Sequence, residues 1–155
     1  MTPKLALFFS VTASAALVAT AAVAQSVNES GRKFTTELTG EAEVTAAGVP
    51  NQGDLDGTGS ADITVNVGQQ RICWNITVAN IAPPTRGHIH HAPATTTGGI
   101  VVPFFEAADP DLNGCTTIPL DRALLRDIIQ HPQDYYVNVH NADFPGGAMR
   151  GQLAK

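Results

Sequence analysis

Residues 60–78 read S-A-D-I-T-V-N-V-G-Q-Q-R-I-C-W-N-I-T-V. Ala61, Ile63, Val65 and Val67 alternate with Ser60, Asp62, Thr64 and Asn66. Ile72, Trp74, Ile76 and Val78 then alternate with Cys73, Asn75 and Thr77. A period of two places one set of side chains on a buried face and the other towards water. Gly68-Gln69-Gln70 separates the two runs, so the stretch predicts a β-hairpin. The same period appears at Phe34, Thr36 and Leu38, and again at Tyr135, Val137 and Val139. Pro145-Gly146-Gly147 predicts a turn before a last strand at Ala148 to Leu153. Ile100 to Phe105 is a more continuous apolar run, which Pro103 directs to a sheet edge. One segment has helical spacing: Leu120, Leu124, Leu125, Ile128 and Ile129 share a face, with Asp121 as N-cap and Pro132 beyond the end. Many short strands with one short helix predict an all-β fold, an antiparallel β-sandwich.

The ends of the chain set its expected location. Within residues 1–24 the one charge is Lys4, an apolar run follows from Leu5 to Val23, and Ala22-Val23-Ala24 offers small residues for cleavage. This pattern predicts a signal peptide cleaved after Ala24, hence a periplasmic or secreted protein with no membrane attachment afterwards. Residues 25–33 are polar and are expected to form a flexible leader, followed by one domain over 34–153. The 155-residue chain has a net charge of −5; without residues 1–24 it has 8 basic and 14 acidic groups. That balance argues against nucleic acid, which needs a basic stripe. Cys73 and Cys115 are the two cysteines. In an oxidising compartment an even count favours a disulfide between them.

His88-Ile89-His90 is an H-x-H pair, followed by His91. On a strand, His88 and His90 share a face while Ile89 enters the core. His140 closes another alternating run. If the two strands are neighbours, His88, His90 and His140 form a copper or zinc site. The alternative is that these rings bond backbone or carboxylate groups at a sheet end. His131 is expected to cap the helix or lie at the surface. Asp54-Leu55-Asp56-Gly57-Thr58-Gly59 resembles the start of a calcium loop, but Val65 stands where the twelfth-position acid is needed, so a solvated turn is the better reading. Arg150 shares parity with Ala148 and Gln152 and is a candidate for a structural contact or an anionic ligand, with Asp143 as a possible carboxylate partner. No hydrolase elbow, phosphate-binding loop, zinc-protease helix or dinucleotide fingerprint is present.

Three segments together carry a family resemblance: F-T-T-E-L-T-G-E-A-E at 34–43, G-H-I-H-H-A-P at 87–93, and Y-Y-V-N-V-H-N-A-D-F-P-G-G-A-M-R-G-Q-L at 135–153. In that order they resemble the chordin-type (CHRD) domain family over about residues 34–153. The resemblance implies an extracytoplasmic β-sandwich that serves as a binding or interaction module, with an extracytoplasmic protein as candidate partner. Its motif positions here are His88, His90, His140, Asn138, Pro145, Gly146, Gly147, Arg150 and Gly151. Ala148 and Met149 precede Arg150, so an acid–arginine pair at that point is missing. The H-x-H pair at His88 and His90, the cysteine pair and the late Arg150 together carry a second similarity, to copper–zinc superoxide dismutases. It implies a superoxide-dismutase-like sandwich as an alternative to an immunoglobulin-like one, and a copper-dependent redox enzyme as the alternative function. A copper site of that kind needs four histidines, so His91 or His131 would have to join the other three.

Overall fold

The computed structural model describes residues 31–106 and 110–154. The signal peptide expected over 1–24 lies outside them, as does the leader up to residue 30. Among the described residues eight strands form: β1 (Arg32–Thr39), β2 (Thr58–Asn66), β3 (Arg71–Ala79), β4 (Pro84–His91), β5 (Gly99–Glu106), β6 (Asn113–Cys115), β7 (Tyr135–Asn141) and β8 (Met149–Gln152). One helix among them, α1, spans Arg122–Gln130. The strands pair antiparallel in the order β5-β4-β7-β8-β1-β2-β3-β6.

The predicted hairpin is present, with Ile63 opposite Trp74 and Val65 opposite Ile72. Gln70 takes a positive φ of 52° to close it. Ala61, Ile63, Val65, Ile72, Trp74 and Ile76 are all buried. Burying a branched or aromatic side chain contributes about 1.5–3 kcal/mol, so the hairpin supplies a large share of the core. β1 begins at Arg32, pairing with Val65, two residues before the alternation at Phe34 becomes apolar. The sheet bends back on itself. Trp74 on β3 and Phe104 on β5 stand near opposite ends of the strand order, yet their rings stack at 4.8 Å. The result is the expected antiparallel sandwich, nearly closed into a barrel around one core.

β5 and β6 are the two edges. Pro103, which cannot donate to a ladder, sits on edge strand β5 as its chemistry requires. Cys73 lies opposite Cys115 in the β3–β6 register, and the two form a disulfide. It fastens the three-residue edge strand β6 to the sheet. Helix α1 starts where Asp121 accepts from the Ala123 N–H at 2.9 Å. Leu125 and Ile128 are its buried residues, and both join the core. His131 is the C-cap residue, and Pro132 opens a short 3-10 turn. No helix among the described residues is long and apolar enough to cross a membrane.

Candidate metal centre

Ile89, Val137, Val139 and Met149 point into the sandwich core. Their neighbours of opposite parity on β4, β7 and β8 form a second, polar cluster on the other face. Register places Arg86 opposite His140, His88 opposite Asn138, and His90 opposite Tyr136. The next ladder places Asn138 opposite Arg150 and Tyr136 opposite Gln152. Side chains one pair apart on a diagonal can touch, which brings His88 to His140. The ladder between β4 and β5 is irregular on either side of His88 and Ile89, a common device beside sites.

This face is a sheet exterior, yet His88, His90, Asn138, His140 and Arg150 are buried. Three connections cover it. Glu43, from the β1–β2 connection, accepts a hydrogen bond from Asn138 Nδ2. The Pro93 and Thr96 carbonyls, from the β4–β5 connection, accept from Arg150 at 2.8 and 2.9 Å. Pro145, from the β7–β8 turn, presents its carbonyl to His140 Nδ1 at 3.1 Å. Gly147 has φ +145° and no room for a Cβ between Glu43 and Asn138, so that turn demands glycine.

The three histidines expected to form a site do meet. One ligand atom from each of His88, His90 and His140 can be chosen so that all three lie within 4.8 Å of one another. Two rings are oriented by backbone. His90 Nδ1 donates to the Gly98 carbonyl at 2.9 Å, and His140 Nδ1 donates to that of Pro145. A carbonyl can only accept, so in the neutral rings both Nε2 atoms carry lone pairs. His90 Nε2 is buried with no hydrogen-bond partner. His88 Nδ1 stands 3.1 Å from His140 Nε2. His88 Nε2 lies 3.4 Å from Glu106 Oε1, a close contact without the geometry of a hydrogen bond.

These contacts conflict in the neutral state. With a proton on Nδ1, His88 bonds His140 but turns a bare Nε2 to the Glu106 carboxylate. With the proton on Nε2, it serves Glu106 but sets its Nδ1 lone pair against that of His140. A cation held by the three rings would remove the conflict. Zinc or copper bonds nitrogen at about 2.0–2.1 Å, which would place two nitrogens of a tetrahedral site about 3.4 Å apart. The three ligand atoms, within 4.8 Å of one another, would therefore close by up to about 1.4 Å. The all-imidazole donor set suits either metal.

Electrostatics favours the neutral form of all three rings. Burial lowers the pKa of His140 to about 4, helped by neighbouring His88 and Arg86. Burial also lowers His90, with His88 and Arg150 acting in the same sense. His88 is lowered by burial against the opposing pull of Glu106. Neutral imidazoles bind a metal without first losing a proton to water.

Further residues support this arrangement. The His90 ring stacks on Tyr136 at 4.8 Å with planes 5° apart. Arg150 lies 3.4 Å from the centroid of the same Tyr136 ring. The Gly98 N–H donates to Tyr136 Oη at 3.3 Å, so Gly98 binds both members of the stacked pair. Arg150 thus bonds the Pro93 and Thr96 carbonyls and Gln152 Oε1 rather than the carboxylate of Asp143. The fully buried guanidinium fastens the covering loop to β8. Asn138 bonds Glu43, whose pKa burial pushes up to about 7 against the lowering effects of Arg150 and Asn138. Tyr136, Glu43 and Glu106 were not identified from sequence. Tyr136 was legible by parity with Asn138 and His140; Glu43 and Glu106 carry no local signal.

His91 and His131 do not join the cluster. His91 stacks on Tyr135 at 4.7 Å, and His131 Nδ1 lies 2.9 Å from Asp127 Oδ1. The four-histidine arrangement is therefore not assembled. The Asp54–Gly59 segment forms a turn running into β2, with the Gly57 N–H bonded to the Asp54 carbonyl at 2.9 Å. Comparison with curated proteins and with solved structures returned no match. The CHRD domain family matches residues 34–153. With the match covering the sandwich and the histidine cluster alike, the chain belongs to the CHRD domain family.

Proposed function

We propose that this CHRD domain is an exported binding module that holds copper or zinc through His88, His90 and His140. The observation that carries the reading is the convergence of three buried imidazoles, two of them aimed by backbone carbonyls. The disulfide fits an oxidising compartment, consistent with periplasmic or secreted protein. An extracytoplasmic protein is the partner class that the family suggests. The role is binding rather than redox turnover, because the separation of His91 and His131 leaves a dismutase-like copper site one ligand short.

Metal content of the protein after copper or zinc reconstitution and dialysis tests the reading. Stoichiometric metal in the wild type and none in His88→Ala is expected. An absence of bound metal in the wild type, or equal binding by the variant, overturns it. Superoxide turnover by copper-loaded protein would instead favour the redox function.

A further inference from the structure

Glu106 closes edge strand β5, with its side chain 63% exposed, beside His88, which is 1% exposed. It is the acidic partner of the histidine cluster, at 3.4 Å from His88 Nε2. The carbonyls of Gly98 and Pro145 already orient His90 and His140. His88 has no equivalent backbone acceptor among its described hydrogen bonds, and its Nδ1 faces His140. Its orientation therefore depends on what its Nε2 meets.

We propose that Glu106 is a positioning residue that selects Nδ1 of His88 as the metal-binding nitrogen. This rests on the histidine site proposed above. Without metal, His140 Nε2 requires the His88 proton to sit on Nδ1. When the cation takes the space between the rings, Nδ1 becomes a ligand and the proton resides on Nε2. There it donates to the Glu106 carboxylate, with a modest shortening of the 3.4 Å contact. One proton changes nitrogen, and the ring remains neutral before and after. The ligand set becomes Nδ1 of His88 with Nε2 of His90 and of His140. A carboxylate accepting from the far nitrogen of a ligating imidazole fixes the ring and raises its basicity.

Glu106 also lines a groove of about 390 Å³ between Pro103–Phe105 and Cys115–Ile118 with Leu120. The carboxylate thus joins solvent-accessible surface to an otherwise buried site. Its exposure allows substitution without opening a cavity in the core.

Zinc titration calorimetry on wild type, Glu106→Ala, Glu106→Gln and His88→Ala tests the assignment. Loss of an outer carboxylate weakens metal binding by about 10–100-fold. That loss is expected for Glu106→Ala, with a smaller one for Glu106→Gln, whose amide oxygen still accepts. Thermal unfolding of the metal-free proteins should be no lower for either Glu106 variant than for wild type, since the carboxylate faces a bare Nε2 there. Histidine nitrogen spectra of the zinc-loaded wild type should show N–H at Nε2 of His88 and at Nδ1 of His90 and His140. Zinc affinity unchanged in Glu106→Ala, or metal bound at Nε2 of His88, overturns the role of Glu106 while leaving the three-histidine site standing. No zinc binding by the wild type, or undiminished binding by His88→Ala, removes the site and this inference together.

Discussion

Glu43→Gln should stabilise the protein at pH 8 and do almost nothing at pH 4. Glu43 is buried beneath the β1–β2 connection, and burial raises its pKa from 4.5 to about 7. Each pKa unit corresponds to about 1.4 kcal/mol between the two protonation states. Below pH 4.5 the carboxyl is protonated in both folded and unfolded chains and carries no penalty. Between pH 4.5 and 7 the folded state holds the proton more tightly, so stability falls as pH rises. Above pH 7 both states are ionised and the full penalty, about 3 kcal/mol, is in place. Glutamine keeps an oxygen for Asn138 Nδ2 but cannot ionise. The pKa of about 7 already includes the attraction of Arg150, so a gain of about 3 kcal/mol at pH 8 is expected. That corresponds to roughly 10–15 °C in Tm for a domain of this size. The depressed His140 pKa destabilises both proteins as pH falls from 6.5 towards 4, and therefore cancels in the difference. Urea unfolding of both proteins at intervals from pH 4 to 8 gives that difference. A constant difference across the range, or a loss of stability at pH 8, would refute the account of Glu43 as a strained buried carboxylate.

Three other perturbations probe the scaffold. Arg150→Met keeps the stem but strips the Pro93 and Thr96 carbonyls of their donors, and should cost about 2–4 kcal/mol in urea unfolding; a change below 1 kcal/mol would argue that the loop is held by other contacts. Replacing Cys73 and Cys115 by alanine frees a crosslink between positions 42 apart, and the chain-entropy relation gives about 4 kcal/mol; an unchanged denaturation midpoint would contradict it. Asp121→Ala removes the α1 cap and should lower stability by about 1 kcal/mol, read as a Tm shift of a few degrees.

The hairpin at Ser60–Val78 was legible because its alternation is strict and burial follows it residue by residue. The helix was legible from its apolar spacing, Asp121 and Pro132. The histidine pair was legible because a strand puts i and i+2 on one face. Arg150 shows the limit of such reading: its parity was correct, but its partners are carbonyls of a loop more than fifty residues earlier. No local pattern encodes a main-chain acceptor.

By itself the sequence determined an antiparallel β domain, the strand faces, the helix and a family likeness over residues 34–153. Periodicity and turn chemistry are local, and they act before strands find partners. Only the tertiary structure decided that β4 and β7 are neighbours and that His140 therefore reaches His88. It alone decided that three loops bury this outer face, that His91 and His131 stay away, and that Glu106 stands beside His88. Those outcomes depend on strand order and register, which follow from packing one shared core rather than from any single segment.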